Sequence, residues 1–145
     1  MINLSLARRY AKALLSIGKE DGKYKDYGVE LSSFAYLLER ESELQNAIVN
    51  PMYPRDDRKK VLDKILEMIQ LNPIVKNFIN LLFDKQRIDG VLQINEVYQI
   101  LVDQLENISR AKVTTATPLD EEMIGRIRQA LEQITKGTVV LDVAD

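Results

Sequence analysis

Adjacent carboxylates at Asp56 and Asp57, and alternate ones at Glu39, Glu41 and Glu43, are the groups in this chain with the most chemistry to offer. Two carboxylates can divide general acid and base work when a pocket holds them across a substrate. Neighbours on a helix point in different directions instead, so Asp56 and Asp57 do not make such a pair. The alternate glutamates would need a glycine-bearing loop to wrap oxygens around a cation, and none is present; they fit a hydrated helix end, and no metal site is expected. Arg55, Arg58, Lys59 and Lys60 form a basic run. Asp56, Asp57 and Asp63 interleave with it and no aromatic platform accompanies it, which fits a solvated helix start rather than a nucleic-acid contact. Neither histidine nor cysteine occurs. That removes imidazole bases, Ser-His-Asp triads, the usual zinc sites, thiol nucleophiles and disulfides. No Gly-rich phosphate cradle is present, so no nucleotide cofactor is implied by motif. The chain reads as a protein that binds, not one that catalyses.

Its 145 residues suit one domain with a small attached piece. Twenty basic and twenty-two acidic residues leave a formal charge of −2, so no global field favours nucleic acid or an anionic membrane. No apolar run approaches the roughly 18 residues of a membrane span, and the N-terminus enters an amphipathic helix directly, without a signal-peptide core. A mitochondrial transit peptide has a similar Arg-bearing character but is enriched in Ser, and this segment is not. A soluble, unexported protein without direct membrane insertion is expected.

Helical periodicity runs from Leu4 to about Arg110. The first helix, Leu4 to Lys19, stops at the glycines and Asp21 near residues 18–22. A second covers Lys23 to Arg40. A short third starts with Ser42 as its expected N-cap and ends at Asn50-Pro51. The fourth opens with Pro54 in its first turn and is expected to bury Val61, Leu62, Ile65, Met68 and Ile69. The fifth spans Pro73 to about Arg87. The sixth follows the Asp89-Gly90 turn and runs to about Ser109, with Val91, Ile94, Val97, Tyr98, Leu101, Leu105 and Ile108 inward.

Two of these helices carry more apolar surface than one core can use. In the first, Leu4, Ala7, Ala11, Leu14, Leu15 and Gly18 form one stripe, and Leu6, Tyr10, Ala13 and Ile17 a second; together they cover roughly 200° of arc. In the fifth, Ile74, Phe78, Leu81 and Ile88 mark one stripe, which Val75, Ile79, Leu82 and Phe83 widen to roughly 220°. A central helix of a bundle can be enclosed by neighbours; a terminal helix is less readily enclosed. The surplus therefore calls for a partner, and Tyr10, rigid, amphipathic and flanked by Leu6 and Ala13, suits close approach of a partner helix.

After Arg110 the texture changes. Lys112–Thr117 is β-branched and reads as a strand ended by Pro118; a helix follows, with Glu121 and Glu122 in its first turn and Ile124, Ile127, Leu131 and Ile134 as its apolar side; Thr138–Val143 is a second strand. The fold class is thus mainly α: a six-helix bundle over residues 1–110, then a partial α+β strand-helix-strand region over 111–145. So small a unit cannot cover its own sheet, and an incomplete second domain is expected.

The tract Ala7-Arg8-Arg9-Tyr10-Ala11-Lys12-Ala13-Leu14 resembles the N-terminal signature of the F-type ATP synthase delta subunit family, which includes the mitochondrial oligomycin-sensitivity-conferring protein. Three further tracts are similar to that family in the same order: Asn50-Pro51; Asn77-Phe78-Ile79-Asn80-Leu81-Leu82 with Lys85-Gln86-Arg87-Ile88; and Lys112-Val113-Thr114-Thr115-Ala116-Thr117-Pro118-Leu119. The resemblance implies a non-catalytic stator connector, linking the catalytic head to the peripheral stalk of a proton-translocating synthase against rotor torque. It implies that the first and fifth helices receive the N-terminal helix of an alpha subunit. It carries that role onto Tyr10, Ala13, Leu14, Asn77, Phe78 and Leu81. It also implies a b-type stalk partner for the C-terminal region, a monomer in isolation, and a peripheral place on the cytoplasmic face of a bacterial inner membrane. The rival expectation is an unrelated helical adaptor that self-associates through the same two faces. Two departures stand out. Gln86 replaces the Gly that usually caps the fifth helix, and the chain ends where the family continues past a Val-x-Asp like Val143-Ala144-Asp145, which should weaken stalk binding.

Overall fold

The computed structural model describes residues 3–114, 120–135 and 137–144. Seven α-helices and two strands are found among them: α1 (Leu4–Asp21), α2 (Tyr24–Arg40), α3 (Ser42–Val49), α4 (Arg55–Met68), α5 (Pro73–Asp84), a 3-10 turn (Ile88–Gly90), α6 (Val91–Leu105), β1 (Ile108–Thr114), α7 (Glu121–Thr135) and β2 (Thr138–Ala144). The mainly α class with a small C-terminal α+β region is what is observed. Contacts divide the chain into two compact units, Met1–Val102 and Asp103–Asp145, so the division falls inside α6, earlier than the expected boundary at residue 110.

In the first unit, α1 starts at Asn3, whose side-chain oxygen accepts from the Leu6 N–H at 2.8 Å. It ends at Gly22, in the left-handed conformation at φ 79° that glycine adopts without strain. The inward face of α1 is Ala7, Ala11, Leu14, Leu15 and Gly18. Of the expected first stripe, only Leu4 fails to enter the core, at 63% exposure. Gly18 is needed for close approach, because a Cβ there would lie 2.6 Å from the Tyr24 Cα at the start of α2. The core is completed by Tyr27, Leu31, Phe34 and Leu38 of α2, Ile48 of α3, Leu62, Ile65 and Leu66 of α4, Val75, Ile79 and Leu82 of α5, and Ile94 and Tyr98 of α6.

Several local expectations are corrected. Ser42 is the first residue of α3 rather than its cap; Glu41 holds the cap position and makes no side-chain cap bond. Pro54 precedes α4 as its N-cap. The buried stripe of α4 is Leu62, Ile65 and Leu66, and Met68 is 76% exposed, because Leu66 continues the i, i+4 row from Leu62 while Met68 falls on the far side. The basic run at the start of α4 does meet an aromatic ring: Arg55, Arg58 and Lys59 stand 5.3, 5.5 and 5.4 Å from the centroid of buried Phe83 in α5. Arg55 pairs with Asp84 at 2.7 Å and Lys59 donates to Asn80 Oδ1 at 2.5 Å, so these cations bind α4 to α5.

α5 ends earlier than its apolar pattern suggested. Arg87 N–H donates to the Leu82 carbonyl at 2.7 Å and Gln86 N–H to the Phe83 carbonyl at 3.0 Å, the two bonds of a Schellman cap. The motif needs a left-handed residue at its centre, and Gln86 takes that conformation at φ 58° despite its side chain. The position keeps its glycine-like backbone without glycine.

In the second unit, β1 and β2 pair in parallel, in register from Ile108 with Thr138 to Thr114 with Ala144. A parallel pair needs a crossover; α7 supplies it and packs on β2. α7 is capped by Asp120, whose carboxylate accepts from Met123 N–H at 2.8 Å, and Glu121 and Glu122 lie in its first turn, where they complement the helix dipole. No residue of α7 is buried within the chain. Ile108 had been expected on α6; instead Asn107 turns the chain at φ 56° and Ile108 opens β1. The expected strand residues Thr115–Thr117 lie outside the described residues.

At the α1–α2 corner the Tyr27 hydroxyl donates to the Asp21 carboxylate. That bond holds the Asp21 carboxyl below the usual carboxylate range and pushes the Tyr27 hydroxyl up to about 12. A depressed carboxyl stabilises the fold above its unfolded-state pKa, and the contribution is lost as pH falls through the folded-state value. Tyr27→Phe should therefore lower the urea midpoint at neutral pH and flatten its decline between about pH 5 and pH 2. Gln86→Gly, by relieving the left-handed strain, should raise stability by about 0.5–1 kcal/mol in the same assay.

Candidate docking face on α1 and α5

The two helices with surplus apolar arc are joined by an aromatic contact. The rings of Tyr10 on α1 and Phe78 on α5 meet edge to face, with centroids 6.5 Å apart and planes inclined at 71°. α1 buries one stripe in the core and turns the other outward, whereas in the expected outer stripe of α5 Phe78, and Ile88 in the following 3-10 turn, are buried and only Ile74 and Leu81 keep surface. On α1 the inward stripe of small residues seats the helix deeply, leaving Leu6 and Tyr10 half-buried and Ala13 and Ile17 exposed. On α5, Val75, Ile79, Leu82 and Phe83 face the core while Ile74 is half-buried and Leu81 is 43% exposed. Tyr10 and Phe78 thus link two lines of apolar side chains, one along each helix.

The six residues singled out from sequence divide by burial. Tyr10, Ala13, Asn77 and Leu81 present surface. Phe78 is 7% exposed and serves as the ring on which Tyr10 rests. Leu14 is fully buried and belongs to the core stripe, so it can shape the face only from beneath. Three further residues extend the apolar surface, Leu6 and Ile17 on α1 and Ile74 on α5. Their signal was present in the sequence as helical spacing with Tyr10 and Leu81.

The face holds no ionisable pair suited to catalysis. Asp56, Asp57, Glu39, Glu41 and Glu43 are all exposed. Among the described residues no group of three acidic, His or Cys side chains is placed to hold a metal ion, and no helix is long and apolar enough to cross a membrane. What the arrangement can do is bind an apolar helix surface, with Tyr10 and Leu81 as side chains that lose solvent on contact.

Separate roles for Leu14 and Tyr10 make a direct test. Leu14→Ala should cost about 2–5 kcal/mol of unfolding free energy, as expected for a cavity in a sealed core. Tyr10→Ala should cost less, about 1–2.5 kcal/mol, for the aromatic pair together with the partial burial of a half-exposed ring. Equal losses in denaturant titrations would place both residues in the same environment.

Comparison with known proteins agrees with the fold and the sequence signature. Residues 6–144 match the family described as ATP synthase delta (OSCP) subunit. The chain is 44% identical over 144 residues to the ATP synthase subunit delta of Desulfosudis oleivorans, covering 99% of this chain and 79% of that protein. It is 39% identical over 142 residues to the subunit of the same name from Syntrophobacter fumaroxidans, covering 98% and 78%. A chain in the cryo-EM structure of the Toxoplasma gondii mitochondrial ATP synthase hexamer shares the fold with a TM-score of 0.72 at 19% identity, over 96% of this chain and 77% of that one. With the family matched across nearly its whole length, the chain belongs to the ATP synthase delta (OSCP) subunit family, a structural and non-catalytic component of the peripheral stalk.

Proposed function

We propose that this chain is the stator connector of a proton-translocating F-type ATP synthase and that its α1/α5 face receives the N-terminal helix of an alpha subunit. The observation that carries this reading is the Tyr10–Phe78 contact, which sets the half-exposed stripe of α1 against α5, where Ile74 and Leu81 keep apolar surface. An amphipathic helix laid on that surface would bury Leu6, Ala13, Ile17, Ile74 and Leu81 together. Non-catalytic anchoring needs no more chemistry than this. The second unit, with a two-stranded parallel sheet and a helix that buries none of its residues within the chain, is the part offered to a b-type stalk. The protein would act as a peripheral subunit on the cytoplasmic face of a bacterial inner membrane and be monomeric in isolation.

Calorimetric titration with a synthetic peptide of an alpha subunit's N-terminal helix tests the assignment. Saturable one-to-one binding is expected, weakened at least about tenfold, or about 1.4 kcal/mol, by Tyr10→Asp, with helicity by circular dichroism unchanged. Absence of binding at high micromolar peptide, together with a concentration-dependent dimer in light scattering, would favour self-association through the same face.

A further inference from the structure

The sheet of the second unit has two strands among the described residues, so the side of β2 away from β1 carries backbone groups that no described strand takes up. Which groups these are follows from the phase of the ladder. Thr138 N–H donates to the Asn107 carbonyl at 3.0 Å, and that approach requires glycine at 137, where a Cβ would lie 2.5 Å from the same carbonyl oxygen. The N–H and C=O of one strand residue point to the same side and successive residues alternate. Thr138 and Val140 therefore turn toward β1, and Val139, Leu141 and Val143 turn to the outer edge.

The first of these outward donors is taken by a side chain. Val139 N–H donates to Glu132 Oε1 of α7 at 3.3 Å. α7 packs on β2, where Val139 is 3% exposed, and half-buried Glu132 reaches from that packed side to the rim of the strand. The segment beside it, Thr138-Val139-Val140-Leu141, is apolar, rich in β-branched residues and free of charge, a composition that pairs readily with another strand. A carboxylate on the Val139 N–H both occupies the donor and repels the carbonyl that an incoming strand would bring to it.

We propose that Glu132 guards this edge: by holding the Val139 N–H it denies the outer side of β2 to the same edge of a second copy of this chain. A second copy is the strand to be excluded because a two-fold axis brings identical edges together antiparallel. Centred on Leu141, such a pairing sets Val139 of each copy against Val143 of the other, so that each Val139 N–H needs a Val143 carbonyl. Glu132 stands in that place on both copies. The guard is a local device of the second unit and is independent of what docks on α1 and α5.

Sedimentation velocity and amide hydrogen exchange on the full chain, at about 20 µM and about 500 µM, test this in the range where open strand edges associate. The unaltered chain should stay monomeric at both concentrations. Glu132→Ala, which keeps α7 helical by circular dichroism because alanine is the strongest helix former, should become dimeric at the higher one. In that variant Val139 should exchange about fivefold faster than in the unaltered chain when dilute, and should slow again, together with Leu141, as the dimer forms. Glu132→Gln keeps a side-chain carbonyl as acceptor and should stay monomeric. A Glu132→Ala chain that is monomeric at both concentrations would overturn the proposal, as would a dimer in which Val139 and Leu141 stay unprotected. Dimerisation of the unaltered chain or of Glu132→Gln as readily as Glu132→Ala would overturn it too.

Discussion

Close seating of α1 in the bundle governs the rest of the first unit. The face it turns inward is built largely from Ala7, Ala11 and Gly18, residues too small to hold a neighbouring helix away. At Gly18 the approach leaves no room for a Cβ against the backbone of Tyr24. With α1 drawn in so far, Leu14 and Leu15 fill the core and the second stripe comes level with Phe78 of α5. A bulkier inward face would lift α1 and separate Tyr10 from its ring partner. The docking surface is a consequence of how the core is packed, not an addition to it.

Polar groups inside the bundle fix how its helices are registered. Asn95 of α6 is fully buried; its Oδ1 accepts from Ser32 Oγ of α2 at 2.9 Å. Gln99 Nε2 donates to the Gly28 carbonyl at 3.1 Å and to Ser32 Oγ at 3.0 Å, and a Cβ on Gly28 would press on the Tyr98 ring at 3.1 Å. The Tyr98 hydroxyl donates to the Tyr24 carbonyl at 2.7 Å, and burial pushes its pKa up, so it stays a donor. These bonds have few alternative partners in an apolar interior, so sliding α6 along α2 would strand several of them at once. An apolar seam alone would tolerate such slippage more readily.

Where sequence reasoning and structure part, the cause is tertiary at Met68, at the cations of α4 and at Ile108, and a local cap at Gln86. Met68 shares approximate helical spacing with Ile65 and Ile69, but the direction of the α4 core face is set by what α3 and α5 present, and Leu66 fills it. The cations at the start of α4 looked solvated because Phe83 is far away in the chain; only the packing of α4 on α5 puts the ring beneath them. Gln86 lacks the residue type that signals a left-handed cap, yet the hydrogen bonds to Leu82 and Phe83 impose one. Ile108 continues the apolar row of α6 by spacing, but pairing with Thr138 recruits it into a strand.

By itself the sequence determined the elements and their amphipathic surplus, because hydrophobic periodicity, caps and turn residues are local and read directly along the chain. The excess arcs of α1 and α5, the absence of His and Cys, and the family signature around Tyr10 and Phe78 were all legible there. Only the tertiary structure decided which of two adjacent stripes faces inward, that Leu14 is sealed while Leu81 keeps its surface, and that Tyr10 rests on Phe78. A helix with two apolar stripes is satisfied equally well, as a local object, by burying either one. The choice is made by neighbours distant in sequence, through small residues that allow contact and large ones that fill the space left.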